Sequence, residues 1–105
     1  MLLREHDFRD LRPDWIRPVW RALMKLEHAV ADWSADRLAL PPWRSKVTPE
    51  FEGRAHLCRF FDIDGVERTF EWHARFTPGA GRLHFRLVSE DHTARVAYIG
   101  NKLGV

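Results

Sequence analysis

The sequence predicts an α+β domain, in which one long N-terminal helix and a short second helical turn pack on a four-stranded antiparallel meander. Three observations predict it. Val19, Leu23, Leu26, Val30 and Trp33 recur at spacings of four and three, the stripe of an amphipathic helix. From Arg54 onward the apolar period becomes two, as in strands with one buried face. Asp64-Gly65 and Thr77-Pro78-Gly79-Ala80 supply turn chemistry between alternating runs.

In chain order, residues 1–13 are polar and charged and read as a lead-in arm. Asp14 is the predicted N-cap of a helix running to Asp32 or Trp33, with Pro18 tolerated only near the first turn; a start at Pro18 fits equally. Arg17, Arg21, Lys25, Glu27 and Asp32 fall largely off the stripe, as on a solvated side. The stripe lasts about two heptads, too short for a free-standing coiled coil, so it is expected to cover a sheet. Residues 34–38 add a helical turn before Pro41-Pro42, making 14–39 the helical region. Residues 43–51 read as irregular or as an edge strand, because Pro49 cannot donate to a central ladder. Strands are predicted near 54–62, 66–76, 81–88 and 93–100, so that the sheet occupies 54–100 of a single 105-residue domain. Residues 89–92 form the third turn.

The run 70–88, FEWHARFTPGAGRLHFRLV, fixes the central register. Setting Phe76 opposite Gly81 pairs Trp72 with Phe85, Phe70 with Leu87 and Ala74 with Leu83 on one face. The other face then pairs Glu71 with Arg86, His73 with His84 and Arg75 with Arg82. A one-residue slip would mix the two sets, so this register is strongly specified. Leu57, Phe70, Trp72, Ala74, Leu83, Phe85, Leu87, Ala94, Val96 and Tyr98 are the expected core of the sheet. If Asp64-Gly65 pairs Ile63 with Val66, then His56 meets His73, Cys58 meets Glu71 and Arg54 meets Arg75. Two rows result, Arg54–Arg75–Arg82 and His56–His73–His84, with Arg95 beside Arg86.

Composition narrows the function classes. The chain is 45% hydrophobic and 30% charged, which is ordinary for a globular protein, and it contains no apolar run long enough to span a membrane. The charged start MLLREHDFRD lacks the apolar stretch of a signal peptide. Cys58 is the only cysteine, which excludes an internal disulfide and suits a reducing, cytoplasmic location. Net charge is only +2, yet 14 of the 17 basic residues are Arg, a side chain suited to bidentate phosphate contacts. A GC-rich genome accounts for much of that bias, so where the arginines sit carries more weight than their number.

Three like-charged arginines facing one another destabilise a sheet unless an anion joins them. An exposed antiparallel face is polar in any case, as a simply solvated surface. The competing reading is a phosphate-bearing partner, RNA foremost, with Arg54, Arg75, Arg82, Arg86, Arg95, Lys102 and His56 as contacts and Phe60 as a base-stacking ring. The nearby acids are Glu71 and the C-terminal carboxylate. If the face is catalytic, the chemistry open to it is RNA cleavage. His73 and His84 then serve as acid and base, Glu71 orients a histidine or acts as base, and arginines neutralise the phosphorane. No cofactor is required. A zinc site at His56, His73 and His84 lacks the usual ligand spacing, and its flanking arginines would repel the metal.

Glu71-x-x-x-Arg75, Arg82-x-x-Phe85, an apolar last strand Val96–Ile99 and Lys102 together resemble the RelE/ParE-type toxin superfamily over the last third of the chain. That resemblance implies a small basic α+β protein whose sheet face cleaves mRNA on the ribosome, or targets gyrase, and is neutralised by an antitoxin. Arg75, Arg82 and Lys102 match its recurring basic positions. A reading from another class is a non-enzymatic interaction module that uses the Arg face and a surface built from Trp15, Trp20 and Trp43, residues with no obvious buried position.

Overall fold

A computed structural model describes residues 11–44, 46–50 and 52–104. The first ten residues of the lead-in arm and the C-terminal carboxylate at Val105 lie outside the described residues. Leu11 packs against the core, and Arg12 lies over the Trp15 ring at 4.7 Å.

Pro13 opens a 3-10 turn, Pro13–Trp15, that leads directly into helix α1, Ile16–Asp36. Pro18 is the third residue of α1, where an N–H would have no intrahelical acceptor. Asp14 does not cap: its carboxylate is held by Arg12 at 2.7 Å. The buried residues Val19, Ala22, Leu23, Leu26, Ala29 and Trp33 reproduce the expected stripe. The helix runs past Trp33 through the predicted extra turn and ends at Arg37. That residue adopts the left-handed conformation and donates its N–H to Trp33 O.

The main sheet has strand order β1-β4-β5-β6, all antiparallel: β1 Val47–Pro49, β4 Trp72–Phe76, β5 Gly81–Val88 and β6 Thr93–Asn101. With α1 it makes the predicted α+β architecture. The central hairpin has the predicted register, from Trp72 opposite Phe85 to Phe76 opposite Gly81, with His73 facing His84 and Arg75 facing Arg82.

The identity of the first strand differs from expectation. Residues Glu52–Cys58, EGRAHLC, contain no β-branched side chain and form a 3-10 helix instead. The 66–76 strand breaks at Phe70-Glu71. Its first part, β3 Glu67–Thr69, pairs with β2 Arg59–Phe61 as a separate two-stranded sheet. The fourth strand of the main sheet is β1, where Pro49 sits on the edge as its missing donor demands. The small hairpin is one residue off the expected register: Asp62 N–H donates to Val66 O, and Arg59 faces Thr69.

The helix stripe, with Trp15, packs on Phe76, Leu83, Phe85, Ala94 and Val96, edged by Trp43, Val47, Trp72, Leu87 and Ile99. Three predicted core residues lie outside this cluster: Leu57 is carried off on the 3-10 helix, and two others face the opposite side of the sheet. A bulge between His84 and Phe85 pairs His84 with Tyr98 but Phe85 with Val96, which turns Tyr98 away from α1. The break before β4 does the same for Phe70, which is fully buried against Phe60. The face expected to be open is therefore largely covered. Phe60 stacks on Tyr98 at 5.5 Å, and His73, His84 and Cys58 are all buried.

Candidate functional site

Strands β4 and β5 place Arg75 opposite Arg82, one step from the His73–His84 pair. Beyond β1, Glu50 continues the edge ladder, its N–H donating to Glu71 O at 2.7 Å. Period-two alternation then puts Glu50 on the same face as Thr48, whose register partner is His73. The 3-10 helix contributes Arg54, which donates to Leu103 O at 2.6 Å, and the segment after β6 contributes Lys102. These residues meet around a cavity of about 360 Å³ lined by Thr48, Pro49, Glu50, Arg54, His73, Arg75, Arg82 and Lys102.

Among the described residues, four cations surround one carboxylate. Glu50 holds Arg54 at 3.2 Å through Oε1, and its Oε2 stands 3.6 Å from His73 Nε2. One acid satisfies only part of the positive charge gathered there, so the cavity favours an anion. Burial depresses the basicity of Arg82, and the Arg75 guanidinium opposite adds to that effect. Burial foremost, then repulsion from His84 and the arginines, lowers the pKa of His73, with Glu50 pulling the other way. His73 Nδ1 is buried and has no partner among the described residues.

Arg54, Arg75, Arg82, Lys102 and His73 are thus brought together as the sequence predicts, although Arg54 arrives on a 3-10 helix rather than a strand. The other site residues go elsewhere. His84 is 1% exposed, its Nδ1–H donating to Phe70 O at 3.1 Å and its pKa lowered chiefly by burial, and it lies outside the cavity lining. Glu71 is exposed and lies outside the cavity lining. His56 is exposed on the 3-10 helix and does not extend the histidine row. Phe60 is packed against Tyr98, not free to stack a base.

Arg86 and Arg95 do face each other, but Glu71 is not their acid. Asp62, with its side chain 1% exposed, accepts from Arg86 Nε at 2.7 Å, Arg68 Nη1 at 3.0 Å and its neighbour Ile63 N–H at 2.8 Å, with Arg95 Nε 3.9 Å away. Burial works to raise the Asp62 pKa, but the Ile63 N–H and the Arg86 and Arg95 charges outweigh it and hold the carboxyl below its ordinary value. This cluster ties the small hairpin to the sheet.

Of the three tryptophans assigned to a partner surface, Trp15 is buried and Trp43 is half-buried at the margin of the core. Trp15 is 3% exposed, makes an edge contact with Phe76 at 4.9 Å and donates Nε1–H to Pro78 O at 2.7 Å. Trp43 rests on Trp72 and Phe85 at 5.4 and 5.7 Å. Trp20 alone of the three is exposed, at 61%.

The chain matches no family model, no curated protein and no solved structure. Its chemistry rests on the residues themselves. Sequence reasoning missed Glu50 and Asp62. The alternation of Val47-Thr48-Pro49-Glu50 was a signal for the first, and the turn-rich run Asp62-Ile63-Asp64-Gly65, whose Asx turn is made by Asp64 accepting from Val66 N–H, for the second. Among the described residues no helix is long and apolar enough to cross a membrane.

Proposed function

We propose that the protein binds RNA through its phosphates at the Arg54–Arg75–Arg82–Lys102 cavity and cleaves it as a toxin-like endoribonuclease. The observation that carries this reading is the convergence of four cations on a single Glu50–His73 pair. His73, kept neutral by burial, takes the 2′-hydroxyl proton, and Glu50 steadies the imidazolium that forms. The 2′-oxygen attacks phosphorus, the bond to the 5′-oxygen breaks, and that oxygen leaves with a proton from water. Arg75 and Arg82 neutralise the charge that builds on the phosphorane. The products are a 2′,3′-cyclic phosphate end and a 5′-hydroxyl end.

The test is expression in a host cell together with incubation of the purified protein with single-stranded RNA. Growth arrest and cyclic-phosphate products are expected from the native chain, and both should be lost in His73→Ala and in Arg82→Ala. Harmless expression with intact RNA removes the catalytic part of the reading. A non-enzymatic interaction module, whose partner is an antitoxin or another protein, has its own support in the row Ile16, Trp20 and Met24. These residues stand one turn apart on α1 and are all exposed. Stoichiometric partner capture that Trp20→Ala abolishes, without RNA cleavage, would favour it.

A further inference from the structure

A second basic cleft adjoins the first. It has a volume of about 190 Å³ and is lined by Pro18, Arg21, Ala22, Lys25, Arg75, Phe76 and Thr77. Arg75 therefore lines both cavities. The sheet explains how one residue can serve both faces. Among the described residues, strand β1 pairs with Trp72, His73 and Ala74, and β4 has no ladder partner on that side from Arg75 onward. The exposed Arg75 side chain stands at that edge, between the flank of α1 and the covered face of the sheet.

Arg21 and Lys25 are both exposed on α1, four residues and about 6 Å of helix rise apart. Like charges at that spacing repel, and among the described residues no acidic side chain lines this cleft to offset them. With Arg54, Arg82 and Lys102 on the far side, they form one positive path that bends round the sheet edge at Arg75. The exposed row Ile16, Trp20 and Met24 flanks this path on α1, with Trp20 about 100° round the helix from Arg21.

We infer that this path is the track of a single-stranded RNA, whose backbone phosphates pass from Arg21 and Lys25, over Arg75, into the Arg82 cavity. The inference rests on the RNA reading above and extends it from one phosphate to several. A single strand can turn round a sheet edge within a few nucleotides. A duplex, stiff over about 150 base pairs, cannot follow that bend or enter clefts of this size. The track is sequence-tolerant, because its contacts are charges on phosphates rather than donors to base edges.

The experiment measures binding by fluorescence anisotropy with three labelled probes: a single-stranded RNA of about eight nucleotides, a dinucleotide, and a duplex of the same sequence as the longer strand. Arg21→Ala/Lys25→Ala is compared with the native chain; both sites are exposed, and Ala suits a helix. The double variant should bind the longer strand roughly tenfold more weakly and lower its salt slope by about one to one and a half, as expected for two lost phosphate contacts. Dinucleotide binding should not change, and the duplex should bind more weakly than the strand. If the double variant binds the longer strand as the native chain does while Arg82→Ala weakens it, the track is wrong and the RNA-binding cavity stands. If the native chain binds neither single-stranded probe, the RNA reading fails and takes the track with it. Tighter binding of the duplex would also overturn the track.

Discussion

At the scale of single residues, two carboxylates organise what the arginines do. Glu50 holds Arg54 and faces His73, whereas Asp62 gathers Arg68 and Arg86 with Arg95 alongside. Their roles differ because of what surrounds them. Asp62 is sealed and its oxygens are taken up by donors, which makes it structural. Glu50 lines a cavity with more positive charge than it can satisfy. Asp62→Ala leaves three guanidinium groups without their shared acceptor, two of them less than one-third exposed. Allowing for solvent around those arginines, the variant should lose about 2–4 kcal/mol of unfolding free energy, measured by urea denaturation. A loss below about 0.5 kcal/mol would mean that the cluster is a surface feature.

At the scale of elements, the central hairpin was legible because turn chemistry and alternation agreed, and either face tolerates no slip. Its tight end has a specific demand. A Cβ at Gly81 would run into the ring of Phe76, its cross-strand partner, and Phe76 is what Trp15 packs its edge against. Gly81→Ala should therefore cost about 1–3 kcal/mol and redshift the tryptophan emission as Trp15 loses its seat. Unchanged stability and emission would show that Phe76 has room to move. The neighbouring elements were less legible for physical reasons. Alternation in Glu52–Cys58 was fortuitous, since a short stretch that interleaves Glu, Arg and His with Gly, Ala and Leu can match period two and still coil as a 3-10 helix. The bulge at His84-Phe85 leaves no mark in composition, yet it reverses the facing of Tyr98. Glu50 was hidden because the strand that aims it is only three residues long.

At the scale of the whole molecule, the sheet is covered on both faces, by α1 on one and by the 3-10 helix and small hairpin on the other; His84 is shut in beneath the second cover, and His73 is mostly buried at the wall of the cavity. Burial lowers the pKa of both His73 and His84, so the folded protein resists protons that the unfolded chain takes up near pH 6.5. The stability this confers is complete above about pH 6.5 and is lost as pH falls below it toward the depressed folded values. The urea midpoint should thus drop between about pH 7.5 and 5, and His73→Gln/His84→Gln should flatten that drop. A midpoint indifferent to pH in this window would contradict the buried, neutral pair. The same cover leaves a basic opening at the Arg54–Arg75–Arg82–Lys102 cavity, and the account turns on what enters it. The most direct measurement is the affinity of the native chain and of Arg75→Ala/Arg82→Ala for a single-stranded RNA of about eight nucleotides across a salt series. The account predicts salt-sensitive binding by the native chain and a loss of at least roughly tenfold, with a shallower salt slope, in the double variant. Absence of binding by the native chain, or equal binding by the two proteins, would contradict it.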